Sequence, residues 1–160
     1  KPIGRYVGIL LQEKGLTVGT AESCTGGGIA AALVNVPGSS AYFEGGLVAY
    51  SYGIKETLLG VNHATIVEKG AVSEEVVRQM SEAARKNLGV DFAVAVSGIA
   101  GPGGGTPDKP VGTSWISIAG PERTIAEKFV FGKVRERNIQ KTIFAALNLL
   151  VKEVEDYPVS

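Results

Sequence analysis

The stretch Thr20-Ala-Glu-Ser-Cys-Thr-Gly-Gly-Gly28 puts an acid, a hydroxyl, a thiol, a second hydroxyl and three glycines within nine residues. Leu16 to Ala21 is a short β-prone run, and Thr25 to Val34 is small and apolar and reads as a buried helix. The stretch is therefore a strand, a tight turn and a helix. A side chain at such a turn sits at the carboxyl edge of a sheet. It also faces the first N–H groups of the helix, where negative charge is stabilised. Ser23 is thus a candidate nucleophile with N–H groups nearby for an oxyanion. The competing reading is that Ser23 or Thr25 only caps the helix, the commoner role for such residues.

Working outward, Pro2 to Lys14 carries Ile3, Tyr6, Val7, Leu10 and Leu11 at helical spacing, with Gly15 as its cap. Pro37 to Ser40 is a turn, and Ala41 to Tyr50 is rich in aromatic and branched residues and reads as a strand. Ser51 to Leu59 and Ala64 to Lys69 are short helices. Ser73-Glu74-Glu75 opens a longer helix to Leu88, with Ser73 as N-cap and acids in the first turn. Asp91 to Ser97 is apolar on both faces, as in a covered sheet. Thr113 to Ala119 and Thr124 to Phe131 form a hairpin across Gly120-Pro121, and Val134 to Asp156 is the last helix. These elements predict an α/β fold, a mixed β-sheet covered by helices on both faces (an α/β/α sandwich), in a single domain over residues 1–160. The start at Lys1 rather than Met is expected of a piece of a longer chain as well as of a trimmed one.

Composition narrows the function. Lysine plus arginine and aspartate plus glutamate stand at 16 each, so net charge gives no reason to expect nucleic acid or a membrane surface as partner. One cysteine and one histidine argue against an all-protein zinc site and against a disulfide framework, and fit a reducing compartment. No apolar run reaches membrane-spanning length. The 22 glycines cluster: three in Gly26 to Gly28 and six between Gly98 and Gly112, which points to backbone approaching a ligand in two loops.

A serine nucleophile needs a base. His63 is the one histidine, in a polar segment where a solvated surface role is commoner. A lysine must be neutral to serve, which requires burial or a neighbouring cation. Lys55 is the best-placed candidate, although by itself the sequence favours an exposed helix lysine there. Cys24 reads as a small buried filler rather than a nucleophile. The second loop, Ser97 to Gly112, follows a buried strand and offers many N–H groups, the hydroxyls of Ser97 and Thr106, and Lys109, a set suited to phosphate or another anion. Its prolines restrict its motion, and its length favours a functional loop.

Four ordered motifs then carry a resemblance: Thr20-Ala-Glu-Ser-Cys-Thr-Gly-Gly27; Tyr50, Lys55 and Leu59-Gly-Val61; Gly70-Ala-Val-Ser73; and Ser97 to Gly112 with its Gly-Pro-Gly-Gly-Gly-Thr core. They closely resemble the C-terminal domain of the competence-damage-inducible CinA family, which includes nicotinamide-nucleotide amidohydrolases. The resemblance runs from the first helix to the last. It implies hydrolysis of the carboxamide of nicotinamide mononucleotide to nicotinate mononucleotide and ammonia, through a Ser23/Lys55 pair with Tyr50 orienting or shuttling a proton. On that reading N–H groups of the Gly26-Gly27 turn hold the oxyanion. Gly104, Gly105, Thr106 and an arginine at the start of the last helix bind the substrate. Arg135 and Arg137 both fit the spacing, with Arg135 favoured. No metal or cofactor is implied. The expected setting is a cytoplasmic bacterial homo-oligomer acting on a small nucleotide; the alternative is a non-catalytic nucleotide-binding or interaction module.

Overall fold

The computed structural model describes residues 2–158. Its elements are α1 (Ile3–Lys14), β1 (Val18–Glu22), α2 (Gly28–Val34), β2 (Phe43–Val48), α3 (Tyr52–Leu59), α4 (His63–Lys69), α5 (Glu74–Leu88), β3 (Phe92–Gly98), β4 (Thr113–Ala119), β5 (Thr124–Val130) and α6 (Arg135–Asp156). The sheet order is β2-β1-β3-β4-β5. β1 runs parallel to both β2 and β3, and β4 is antiparallel to both of its neighbours. The sheet is therefore mixed, and helices cover both faces, as the α/β/α reading expects.

Alternation along the central strands separates two cores. Phe92, Val94 and Val96 of β3 join Val18, Ile116 and Ile118 under α1, α2 and α6, which contribute Val7, Leu11, Ile29, Leu33, Leu147 and Leu150. Ala93 and Ala95, with Ala21, face the other way onto Val76, Val77, Met80 and Ala84 of α5. Full burial on both faces explains why β3 reads as a continuous apolar run. Ser73 caps α5 by accepting from the Val76 N–H, and Glu74 and Glu75 occupy its first turn, as the sequence predicts.

The largest departure lies in the opening stretch. Helix α2 begins at Gly28 rather than Thr25, because Gly26 and Gly27 hold left-handed φ values of +59° and +98° that interrupt a helical path. The Gly26 N–H donates to the Ser23 carbonyl at 3.0 Å and the Gly28 N–H to the Thr25 carbonyl at 2.9 Å, so residues 23–28 form a tight double turn. β1 is also displaced toward the turn and ends at Glu22.

The topology gathers several connections at one edge. β1, β2 and β3 are parallel, and β5 shares their direction because it is antiparallel to β4, itself antiparallel to β3. The segments leaving β1 (Ser23), β2 (Tyr50 to Lys55), β3 (the second glycine loop) and β5 (Arg135) therefore emerge together, at the carboxyl ends where open α/β sheets bind ligands.

Candidate functional site

Those four connections line one cleft of about 260 Å³, bounded by Ser23, Tyr50, Lys55, residues 97–101, Gly103, Gly104 and Arg135. At its floor the Lys55 Nζ lies 2.9 Å from the Ser23 Oγ. Lys55 is 1% exposed and Ser23 6% exposed. The solvated helix lysine favoured by sequence alone gives way because α3 starts at the sheet edge, and its first turn points the Lys55 stem inward beneath Tyr50. Nζ has one further partner, the Tyr50 carbonyl at 2.9 Å. No carboxylate among the described residues pairs with it. Burial lowers the Lys55 pKa from the ordinary lysine value, opposed in part by attraction to Cys24. A neutral amine there presents a lone pair to the Ser23 hydroxyl and an N–H to the Tyr50 carbonyl.

The remaining acid-base candidates separate cleanly. His63 opens α4, is largely exposed, and pairs with Glu56 at 2.8 Å, so a Ser-His arrangement has no geometric basis. The Cys24 thiol packs against the core, and burial pushes its pKa up to about 11, which leaves it a poor nucleophile at neutral pH. Tyr50 is 59% exposed, and its hydroxyl meets the Arg135 Nη2 at 3.4 Å. Its contact with Lys55 is made by backbone rather than by the phenol. Arg135, the first residue of α6, donates from Nη1 to the Gly101 carbonyl at 2.7 Å and lines the cleft; Arg137 is exposed and does not line it.

Several expected contact residues lie elsewhere. Gly104 lines the Ser23 cleft, whereas Gly26, Gly27, Gly105 and Thr106 do not. Gly105 and Thr106 border an adjoining hollow of about 580 Å³, with Lys133. Thr106 closes the loop internally: its N–H donates to the Lys109 carbonyl at 2.9 Å, and its Oγ1 accepts from the Lys109 N–H at 3.0 Å. The Lys109 Nζ donates to the Lys69 carbonyl at the end of α4. Ser97 donates to the Ala71 carbonyl at 2.9 Å.

The turn of Ser23 differs from expectation in its electrostatics as well. The N–H groups at the start of α2 are already engaged by Glu22, which is fully buried. Its carboxylate accepts from Ile29 N–H at 2.8 Å, Ala30 N–H at 2.9 Å and the Thr25 hydroxyl at 2.6 Å. Charge at a helix N-terminus is stabilised, but here the chain supplies that charge itself. Neither Ser23 nor Thr25 caps α2. Sequence reasoning left Glu22 without a role, although an acid ending a fully buried strand just before a helix is a signal for one. It also missed Asn138, 3% exposed, whose Nδ2 donates to the Ala100 and Gly132 carbonyls at 3.0 Å each and whose Oδ1 accepts from the Gly132 N–H at 2.9 Å. Its four-residue spacing to Thr142, Ala146 and Leu150 on the buried stripe of α6 marks it as interior.

Fold and site together define an α/β/α sheet protein with a buried serine–lysine pair at the carboxyl edge of its parallel strands. The sequence pattern of the CinA C-terminal domain matches residues 1–154, and the chain belongs to that family. It is 51% identical over 143 residues to a CinA-like protein of Parasynechococcus marenigrum, a match that covers 88% of this chain and 34% of that protein. The chain spans about a third of the length of the curated relatives it matches. Among solved structures it is similar to the competence damage-inducible protein A of Klebsiella pneumoniae (TM-score 0.94, 34% identity, 98% of this chain and 97% of that one). It is also similar to the competence/damage inducible protein of Agrobacterium tumefaciens (TM-score 0.92, 38% identity, 94% and 92%).

Proposed function

We propose that the chain is an amidohydrolase that converts nicotinamide mononucleotide to nicotinate mononucleotide and ammonia. The observation that carries the reading is the 2.9 Å approach to the Ser23 hydroxyl of a buried Lys55 amine that has no carboxylate partner among the described residues. In the proposed reaction neutral Lys55 takes the Ser23 proton as Oγ attacks the carboxamide carbon. The lysine ammonium then protonates the departing ammonia, and water, activated by the same amine, releases the nicotinate product. Arg135, at the mouth of the cleft, is the cation available to the 5′-phosphate. The pyridine-nucleotide substrate comes from the family resemblance; the cleft itself offers a serine–lysine pair at its floor and, in Arg135, a cation for an anionic group.

The test is ammonia release from nicotinamide mononucleotide, compared with nicotinamide and its riboside. Ser23→Ala and Lys55→Met are expected to lower kcat by about 10⁴-fold or more, as for other nucleophile–base units. Because burial lowers the Lys55 pKa and the base must be neutral, kcat is expected to rise with pH through the Lys55 titration. Undiminished turnover by Ser23→Ala would remove the serine mechanism. Calorimetric binding of the nucleotide with no turnover by the intact protein would favour a non-catalytic nucleotide-binding module instead. A cytoplasmic, self-associating enzyme is part of the same proposal, with sedimentation analysis as the check on association; no helix among the described residues is long and apolar enough to cross a membrane.

A further inference from the structure

We infer that the N–H groups of Ala100 and Gly101, in the second glycine loop, form the oxyanion site of this centre. The inference rests on the Ser23–Lys55 reading above and names the groups that would hold the charge it generates. The strand order puts β1 between β2 and β3, so Ser23 is flanked by Lys55 from the β2 side and by the second glycine loop from the β3 side. A base and an oxyanion site on opposite sides of the nucleophile is the arrangement an attacking hydroxyl requires.

The peptide planes of this loop are held from the far side. The Ile99 carbonyl accepts from the Gly112 N–H at 2.7 Å, and the Ala100 carbonyl accepts from Asn138 Nδ2 at 3.0 Å. In a trans peptide the N–H of the following residue points opposite to the carbonyl. Fixing Ile99 C=O on Gly112 therefore turns the Ala100 N–H away from β4, and fixing Ala100 C=O on Asn138 turns the Gly101 N–H away from α6. Both residues are buried and border the Ser23 cleft, and among the described residues neither N–H has an acceptor. Buried N–H groups without partners are rare enough to need an explanation. In the turn of Ser23, by contrast, Glu22 and the turn carbonyls engage the N–H groups of Gly26, Gly28, Ile29 and Ala30, and neither Gly26 nor Gly27 borders the cleft.

In the reaction the Ser23 Oγ forms a bond to the carboxamide carbon as its proton passes to Lys55. The carbonyl π pair moves onto oxygen, and that alkoxide accepts from Ala100 and Gly101. The pair returns to re-form C=O as the C–N bond breaks and nitrogen leaves as ammonia with the proton from Lys55. Asn138 is a positioning residue: it acts through the Ala100–Gly101 peptide and does not touch the reacting atoms.

The test uses 3-pyridylboronic acid, whose boron accepts a serine oxygen to give a tetrahedral anion, with amide NMR on the ¹⁵N-labelled protein. An adduct absent from Ser23→Ala, with the Ala100 and Gly101 amide protons moving downfield and those of Gly26 and Gly27 unmoved, is the expected result. An adduct that moves Gly26 and Gly27 instead overturns the assignment while leaving Ser23 as nucleophile. If neither adduct nor turnover is seen, the nucleophile reading fails and the oxyanion site falls with it. Asn138→Ala is expected to lower kcat by about 10- to 100-fold with KM unchanged, less than or equal to the loss of one direct donor. A change in thermal stability alone, with kcat per folded molecule intact, would overturn the positioning role. The NMR measurement on the unsubstituted protein decides the assignment even if that variant does not fold.

Discussion

The two glycine-rich segments are alike in composition and opposite in what their backbones do. In the turn after β1, Gly26 and Gly27 adopt left-handed conformations so that the chain can fold back on itself, and the N–H groups of Gly26, Gly28, Ile29 and Ala30 bond to Ser23, Thr25 and Glu22. In the loop after β3, carbonyls are held from outside by Gly112, Asn138 and Arg135, while the N–H groups of Ala100 and Gly101 remain available. The first segment aims a side chain, and the second presents backbone. Glycine content alone does not separate these uses; the destination of each donor does.

Substitutions at matched positions sharpen the contrast. Gly101→Ala should have the largest effect. Its φ is +90°, and a Cβ there would run into the Val111 side chain, so the loop must shift. A loss of about 10²-fold or more in kcat is expected from steady-state ammonia release, on the scale of a lost oxyanion donor. Next, Arg135→Ala is expected to raise KM for the mononucleotide by about tenfold or more, the scale of a lost charge-assisted hydrogen bond, while Arg137→Ala leaves KM unchanged. Equal effects at the two arginines would contradict the geometry that brings only Arg135 to the cleft.

Glu22→Gln should register mainly as stability. It replaces a buried carboxylate that accepts three hydrogen bonds with an amide carrying one acceptor oxygen, and a loss of about 2 kcal/mol is expected in denaturant unfolding. The smallest effect is expected at Gly26→Ala: φ is +59°, but nothing lies within 4 Å of a Cβ, so the cost is about 1 kcal/mol of left-handed strain, read as a small drop in Tm. A collapse of activity at Gly26 with stability intact would return the oxyanion site to the first turn.

Much of the fold was legible because its signals are local. Ser73-Glu74-Glu75 announces α5, the apolar run Phe92 to Val96 announces a strand covered on both faces, and Gly120-Pro121 announces the hairpin. Element ends were less legible: α2 starts three residues late because two left-handed glycines, not a hydroxyl cap, set its entry. Ser23 could be read as a candidate from its place at a strand–turn–helix junction.

What the sequence by itself determined is the set of elements, the sheet edge at which the loops end, and the residue types available for chemistry. Burial of Lys55, the engagement of Glu22 with α2, the selection of Arg135 over Arg137 and the seating of Asn138 under the second loop were decided only by the tertiary structure. Hydrophobic periodicity and caps act within a few residues along the chain. Desolvation and hydrogen-bond partnership depend on segments 30 or more residues apart, such as Ser23 and Lys55 or Ala100 and Asn138, meeting in space.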